Sequence, residues 1–140
     1  MATLADRYDS ALIAARHPRL HVSDIEVRIG TRYTADTLAM LRRRFPRTRF
    51  VWLIGADNLA ELHRWRRWRR IFTQVPIAVL DRSPYSRTAL AGEAARRFAR
   101  ARVPASRAPE LAGLAPPAWV YLHQRRHPAS ATAIRAGEAP

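Results

Sequence analysis

The stretch Phe50-Val51-Trp52-Leu53-Ile54-Gly55-Ala56-Asp57 carries the strongest structural signal in this chain. Five consecutive apolar residues without alternation predict a strand covered on both faces, the pattern of a parallel sheet. Gly55 and Asp57 mark its carboxyl end and open a helical pattern through Leu59, Leu62, Trp65, Trp68 and Phe72. Downstream, Ile77-Ala78-Val79-Leu80 repeats the buried-strand pattern and runs into a loop, Asp81-Arg82-Ser83-Pro84. Thr88 to Arg102 is predicted as an Ala-rich helix with Leu90, Ala94, Phe98 and Ala101 inward. Val103 to Pro117, with four prolines, is predicted as an irregular connection, and Trp119-Val120-Tyr121-Leu122 as a further strand. A loop from His123 to Ala129 then leads to a last short helix opening at Ser130.

Upstream, Thr34-Ala35-Asp36-Thr37 opens a predicted helix with Leu38, Leu41 and Phe45 buried and Arg42, Arg43, Arg44 and Arg47 mostly outside; Phe45-Pro46 ends it. Leu20 to Ile29 alternates like a strand, with a phase switch near Ser23-Asp24 that predicts a bulge or bend. Thr3-Leu4-Ala5-Asp6 resembles a capping box, followed by Leu4, Tyr8, Ala11, Leu12 and Ala15 at helical spacing. Helices thus alternate with strands throughout. That order predicts an α/β fold with a mainly parallel sheet and flanking helices, in one domain over residues 1–140. Ligands of such sheets sit beyond the carboxyl ends of the strands, which puts Gly55, Asp57, Arg82 and the loop before Ser130 on one candidate rim.

Composition bounds the chemistry. The chain has 140 residues and a net charge of +14, and its 25 basic side chains are all Arg. Zero Cys excludes disulfides, thiolate-held metals and thiol catalysis. No apolar run approaches the roughly 18 residues of a membrane span, and the first residues carry no leader pattern, so a cytoplasmic protein is expected. The charge calls for an anionic partner, which leaves nucleic acid, a membrane surface and phosphorylated small molecules open. A Lys-free composition also suits GC-rich coding, so charge alone decides little.

Several residues have the right chemistry for a phosphate or nucleotide site, each with a plainer alternative. Asp57 after Gly55 suits ribose hydroxyls or an ordinary helix cap, about equally. Ser130, Thr132 and Arg135 put two hydroxyls, free backbone N–H groups and a guanidinium at a helix start, an arrangement that binds phosphate. Taken alone, a plain cap with a surface Arg is the better reading there. Trp65-Arg66-Arg67-Trp68 fits a core-facing stripe with solvated Arg, with room for one Trp at a pocket lip. Thr34 is most simply a cap, and its hydroxyl and amide could also take a small carboxylate. His123 and His127 flank a strand end without a third ligand, so no metal site is expected. No nucleophile triad and no Walker loop stand out.

The ordered set Asp24-Ile25-Glu26, Arg32-Tyr33-Thr34-Ala35-Asp36-Thr37-Leu38, Phe50 to Leu59, His63 to Trp68, Ile77 to Arg82 and Ala129 to Arg135 resembles bacterial nicotinate-nucleotide adenylyltransferases across nearly the whole chain. The resemblance implies a Rossmann-like nucleotidyltransferase fold and adenylyl transfer from ATP to nicotinate mononucleotide, with Mg²⁺ bound mainly through the ATP phosphates. It implies that Thr34 binds the nicotinate carboxylate and Tyr33 walls that pocket. Trp65 would stack on the pyridine ring, the Arg66 backbone N–H would help hold the carboxylate, and Arg82 would lie near the bound nucleotides. Gly55 and Asp57 would receive ribose, and Ser130, Thr132 and Arg135 would cradle ATP phosphates.

One part of the family pattern is missing. The family opens with a G-x-F-x-P-x-H-x-G-H loop whose two His stabilise phosphate charge, and none of the five His here stands in such a pattern. The resemblance therefore implies that the first strand–loop–helix unit, roughly 30 residues or more, is absent. It also implies that its strand is missing from the middle of the sheet, leaving a chain that binds nucleotides weakly, turns over poorly and contains no catalytic residue. An Arg-rich nucleic-acid module using Arg42-Arg43-Arg44 and Arg66-Arg67-Arg69-Arg70, or a non-catalytic relic, is the competing expectation. No known nucleic-acid motif is legible, so nucleic acid is not the expected partner; the oligomeric state stays open.

Overall fold

The computed structural model describes residues 3–81 and 86–123. Its centre is a parallel sheet of four strands, β1 (Trp52–Gly55), β2 (Ile77–Asp81), β3 (Arg102–Val103) and β4 (Trp119–His123), in the order β1-β2-β4-β3. Trp52 pairs with Ile77 and Ile77 with Trp119, so side chains of like register share a face across three strands. On one face Ile54, Ile77, Val79, Trp119 and Tyr121 pack against helices. On the other, Ala78 and Val120 pack against Leu111 of a 3₁₀ helix, Ala105–Gly113. The central strands β2 and β4 are therefore covered on both faces, as their unbroken apolar runs predict. β1 departs from that expectation. Leu53 shares the face of Ala78 and Val120 but is 62% exposed, because β1 lies at the sheet edge, where the covering layer gives no burial.

The helical layer comes from α3 (Thr34–Arg44), α4 (Ala56–Glu61), α5 (Trp68–Gln74), α6 (Ser86–Ala91) and α7 (Glu93–Arg97). Leu38, Leu59, Leu62, Ile71 and Phe72 are buried against the sheet. Phe72 and Phe98 stack with centroids 4.1 Å apart, and Trp119 Nε1 donates to the Phe98 carbonyl at 2.8 Å, which ties this layer to β4. Two predicted helices prove to be broken. The pattern from Leu59 to Phe72 is interrupted at Trp65-Arg66-Arg67, where Arg67 adopts a left-handed backbone (φ 55°). The Thr88–Arg102 helix breaks at Gly92, which caps α7 in extended conformation and whose absent Cβ would stand 3.1 Å from the Ala89 carbonyl oxygen. The 103–117 connection is largely the 3₁₀ helix, preceded by β3.

The amino-terminal segment forms α1 (Leu4–Ala14) and α2 (Ile25–Ile29). The capping box is present: Thr3 Oγ1 accepts the Asp6 N–H at 3.2 Å, and Asp6 accepts the Thr3 N–H at 2.9 Å. The strand expected over Leu20–Ile29 does not form. Ser23 Oγ accepts the Ile25 N–H, the Asp24 carbonyl accepts from Val27 and Arg28, and Asp24 pairs with Arg28 at 3.0 Å. These local bonds nucleate a helical turn, and Gly30 ends it at φ 65°. Neither helix fully buries a residue; Tyr8, Ala11 and Ala15 on one side of α1 are half-buried.

Candidate functional site

Strand register brings Gly55, Leu80 and Leu122 level across the sheet, with Asp81 opposite His123 one step further. The carboxyl ends of β1, β2 and β4 therefore make one rim, where parallel α/β sheets bind ligands. Gly55 is buried and caps α4, and Asp57 is exposed in that helix's first turn. The cap position itself belongs to Gly55, and Asp57 stands in the first turn, where a carboxylate also offsets the helix's free N–H groups.

A second cluster gathers the start of α3 and the break before α5. Tyr33 is the cap of α3 and Thr34 its first helical residue, so the cap expected at Thr34 sits one residue earlier. Thr37 rather than Thr34 binds back locally, donating to the Tyr33 carbonyl at 3.2 Å and lying 2.7 Å from the Thr31 hydroxyl. The half-buried Thr34 hydroxyl makes no hydrogen bond among the described residues, and it stands at the positive end of an eleven-residue helix.

Arg66 and Arg67 meet this helix start. The Arg66 guanidinium lies 4.8 Å over the Tyr33 ring centroid, and Arg32 approaches the same ring at 5.9 Å. Arg67 Nη1 donates to Asp36 Oδ1 at 3.0 Å, which ties the break to α3. Trp65 is half-buried, edge-on to Trp52 with centroids 5.8 Å apart. The Trp65 N–H donates to the Leu62 carbonyl at 3.0 Å, whereas the Arg66 N–H has no carbonyl partner among the described residues. A left-handed backbone at a non-glycine residue is uncommon and costs about 1–2 kcal/mol. Here it turns the chain so that Arg66 reaches the Tyr33 ring at the start of α3, while Trp65 still packs against the core. The structure thus brings Arg66 onto Tyr33 beside Thr34, leaves Trp65 against Trp52 and the core, and separately sets Gly55 and Asp57 at the end of β1. Arg82, Ser130, Thr132 and Arg135 lie outside the described residues.

Sequence reading passed over two rim contacts. His123 Nδ1 lies 3.1 Å from Asp81 Oδ2, across register partners at the ends of β2 and β4, and the His123 ring tilts against Tyr121 with centroids 4.9 Å apart. The only signal available for that pair was that each residue follows a buried apolar run. The other contact, Asp36–Arg67, joins a helix start to a break that apolar periodicity concealed. Among the described residues no cluster of three or more His, Cys, Asp or Glu converges as a metal site, and no helix is long and apolar enough to cross a membrane.

The family model for cytidylyltransferase-like proteins matches residues 1–137. The chain is 53% identical over 132 residues to a protein of Bradyrhizobium sp. (strain ORS 278) named "probable nicotinate-nucleotide adenylyltransferase", covering 94% of this chain and 69% of that one. Proteins of the same name from Gluconacetobacter diazotrophicus and Cereibacter sphaeroides (strain ATCC 17025) are 53% and 51% identical. The first match covers 97% of this chain and 60% of the relative, the second 96% and 71%. The motifs, the all-parallel sheet with its helical layer and these similarities agree: the chain belongs to the cytidylyltransferase-like family, and within it to the nicotinate-nucleotide adenylyltransferases.

Proposed function

We propose that this chain serves adenylyl transfer from ATP to nicotinate mononucleotide, giving nicotinate adenine dinucleotide and pyrophosphate in a cytoplasmic pathway of NAD synthesis. The observation that carries this reading is the start of α3, with its free Thr34 hydroxyl, meeting Arg66 and Arg67 of the neighbouring break through Tyr33 and Asp36. A free hydroxyl, a free backbone N–H and a helix start favour a carboxylate, and a neighbouring indole and phenol ring favour a flat heterocycle. By resemblance Gly55 and Asp57 receive ribose, Arg82 lies near the bound nucleotides, and Ser130, Thr132 and Arg135 cradle the ATP phosphates.

In this scheme the 5′-phosphate of nicotinate mononucleotide attacks the α-phosphorus of ATP and pyrophosphate leaves. No covalent enzyme intermediate is needed, so the residues act by positioning and by stabilising charge. Mg²⁺ would arrive with ATP and be held through its phosphates, where it offsets their negative charge. The carboxylate-binding groups also imply discrimination. An amidated mononucleotide brings no charge to the α3 start and is expected to bind more weakly.

The test is binding of each substrate to the wild type and to Trp65→Ala, followed by protein fluorescence. Loss of an aromatic stack worth about 0.5–1.5 kcal/mol should weaken nicotinate mononucleotide by about 2- to 12-fold, with ATP affinity nearly unchanged. Equal weakening of both ligands, or of neither, would sink the assigned pocket.

A further inference from the structure

A cleft of about 630 Å³ lies between α3 and α5, with Arg42, Arg43, Phe45, Arg70, Thr73 and Gln74 in its walls. That volume is in the range of small-molecule sites, about 300–1,000 Å³. The cleft is not part of the substrate rim. Phe45, Pro46 and Thr48 belong to the segment leading into β1, and Gln74 stands just before β2, so it lies at the amino ends of the strands. Along α3, Arg42 stands eight residues, roughly 12 Å, from Thr34, while Gln74 in the cleft wall also reaches the Ala35 carbonyl beside Thr34.

Its chemistry is one-sided. No Asp or Glu lines it, and none occurs between Thr37 and Ala56 or between Leu62 and Leu80, the two stretches that build it. Arg42, Arg43 and Arg70 form no ion pair with any described residue, whereas Arg28, Arg67 and Arg107 each have a carboxylate. Three uncompensated guanidiniums around one concavity favour a multiply charged anion, which they can grip with forked hydrogen bonds. Phe45 adds an exposed aromatic surface at 39% exposure, propped edge-on by Phe50 with centroids 6.4 Å apart. Gln74 supplies an unmet acceptor. Its Nε2 donates to the Ala35 carbonyl at 3.1 Å, and its buried Oε1 has no partner.

We propose that this cleft is a second nucleotide site, separate from the substrate rim. It takes the phosphates of a nucleoside polyphosphate on Arg42, Arg43 and Arg70 and its base against Phe45. A basic surface for nucleic acid would need the Arg residues alone. The single ring-sized apolar wall at Phe45, propped by Phe50, favours a free nucleotide.

Calorimetric titration of the whole chain with sodium tripolyphosphate, ATP and a twelve-nucleotide RNA tests this. Tripolyphosphate should bind the wild type and Asp57→Ala alike, and R42A/R70A should weaken it by about tenfold or more. Phe45→Ala should weaken the ATP bound in the cleft and leave tripolyphosphate unaffected. If the rim also binds ATP, the wild type takes two per chain; R42A/R70A removes one and Asp57→Ala the other. A failed rim assignment leaves one ATP, still lost in R42A/R70A. Arg42→Gln alone, a milder change, should give a partial loss and serves if the double variant does not fold. Tripolyphosphate binding that R42A/R70A leaves unchanged in both stoichiometry and affinity, or that is absent from the wild type, overturns the proposal. So does RNA binding tighter than ATP with the same Arg dependence.

Discussion

Residues 3–30 and residues 34–123 use similar side chains and reach different states. The first region satisfies its backbone locally, with a capping box at α1, an ion pair in α2 and a glycine stop, yet buries none of its residues. Leu4, Leu12, Ile13, Leu20 and Val27 are 48–65% exposed. The second region places Leu59, Leu62, Ile71, Phe72, Ile77, Val79 and Val120 entirely out of water. Helix signals are sufficient to form a helix, but burial needs a complementary surface, and only the sheet supplies one. Stability should therefore reside almost wholly in residues 34–123.

The sharpest way to break that division is a pair of truncations compared by denaturant unfolding. Trp119 is 1% exposed, and its indole N–H is spent on the Phe98 carbonyl. Trp119→Ala should cost about 3–5 kcal/mol. Ile13 is 65% exposed, and Ile13→Ala should stay within about 0.5 kcal/mol. Comparable losses would show that α1 is packed as firmly as β4. A smaller effect is expected at Gly92, where the break between α6 and α7 brings backbone close. Any Cβ there meets the Ala89 carbonyl oxygen at 3.1 Å and lies 3.8 Å from the Ala60 Cα. Gly92→Val should cost about 1–3 kcal/mol through overpacking. A neutral result would mean that α4 and α6 can separate freely.

The same division explains what could be read from the sequence. Ile77–Leu80 and Trp119–Leu122 were legible because both faces of β2 and β4 are covered, so apolar runs are unbroken. Leu20–Ile29 misled because alternation is a signature of half-buried strands, and this segment buries nothing; Ser23 and Asp24 then set its conformation locally. Gly55 at the end of a strand and Tyr33-Thr34 at a helix start followed from the strand and helix patterns. The break at Trp65–Arg67 did not, because Leu62, Trp65, Trp68 and Phe72 keep helical spacing straight through it, and the turn depends on one left-handed φ at Arg67. The Asp81–His123 contact was equally hidden. It exists only once β2 and β4, some forty residues apart, are set in register.

The smallest effect expected isolates the amino-terminal region from the sheet. Thr3 donates to Asp6 Oδ2 from its hydroxyl at 2.7 Å and from its backbone N–H at 2.9 Å. Those bonds, the hydroxyl's first, hold the Asp6 carboxyl below its ordinary value. A carboxyl with a depressed folded pKa adds helix stability above its ordinary pKa, and the contribution is lost as pH falls through the lowered value. Amide chemical shifts across residues 3–14, followed on acidification, should lose their helical character before those of β2 and β4 change. Thr3→Ala removes the hydroxyl that caps the helix and lowers the pKa. It should leave α1 frayed at neutral pH, with a weaker acid transition, and leave sheet unfolding unchanged. If α1 and the sheet instead respond together, in the wild type and in the variant alike, the two regions form one cooperative unit, because a change confined to an exposed cap can reach β4 only through contacts that bury part of α1.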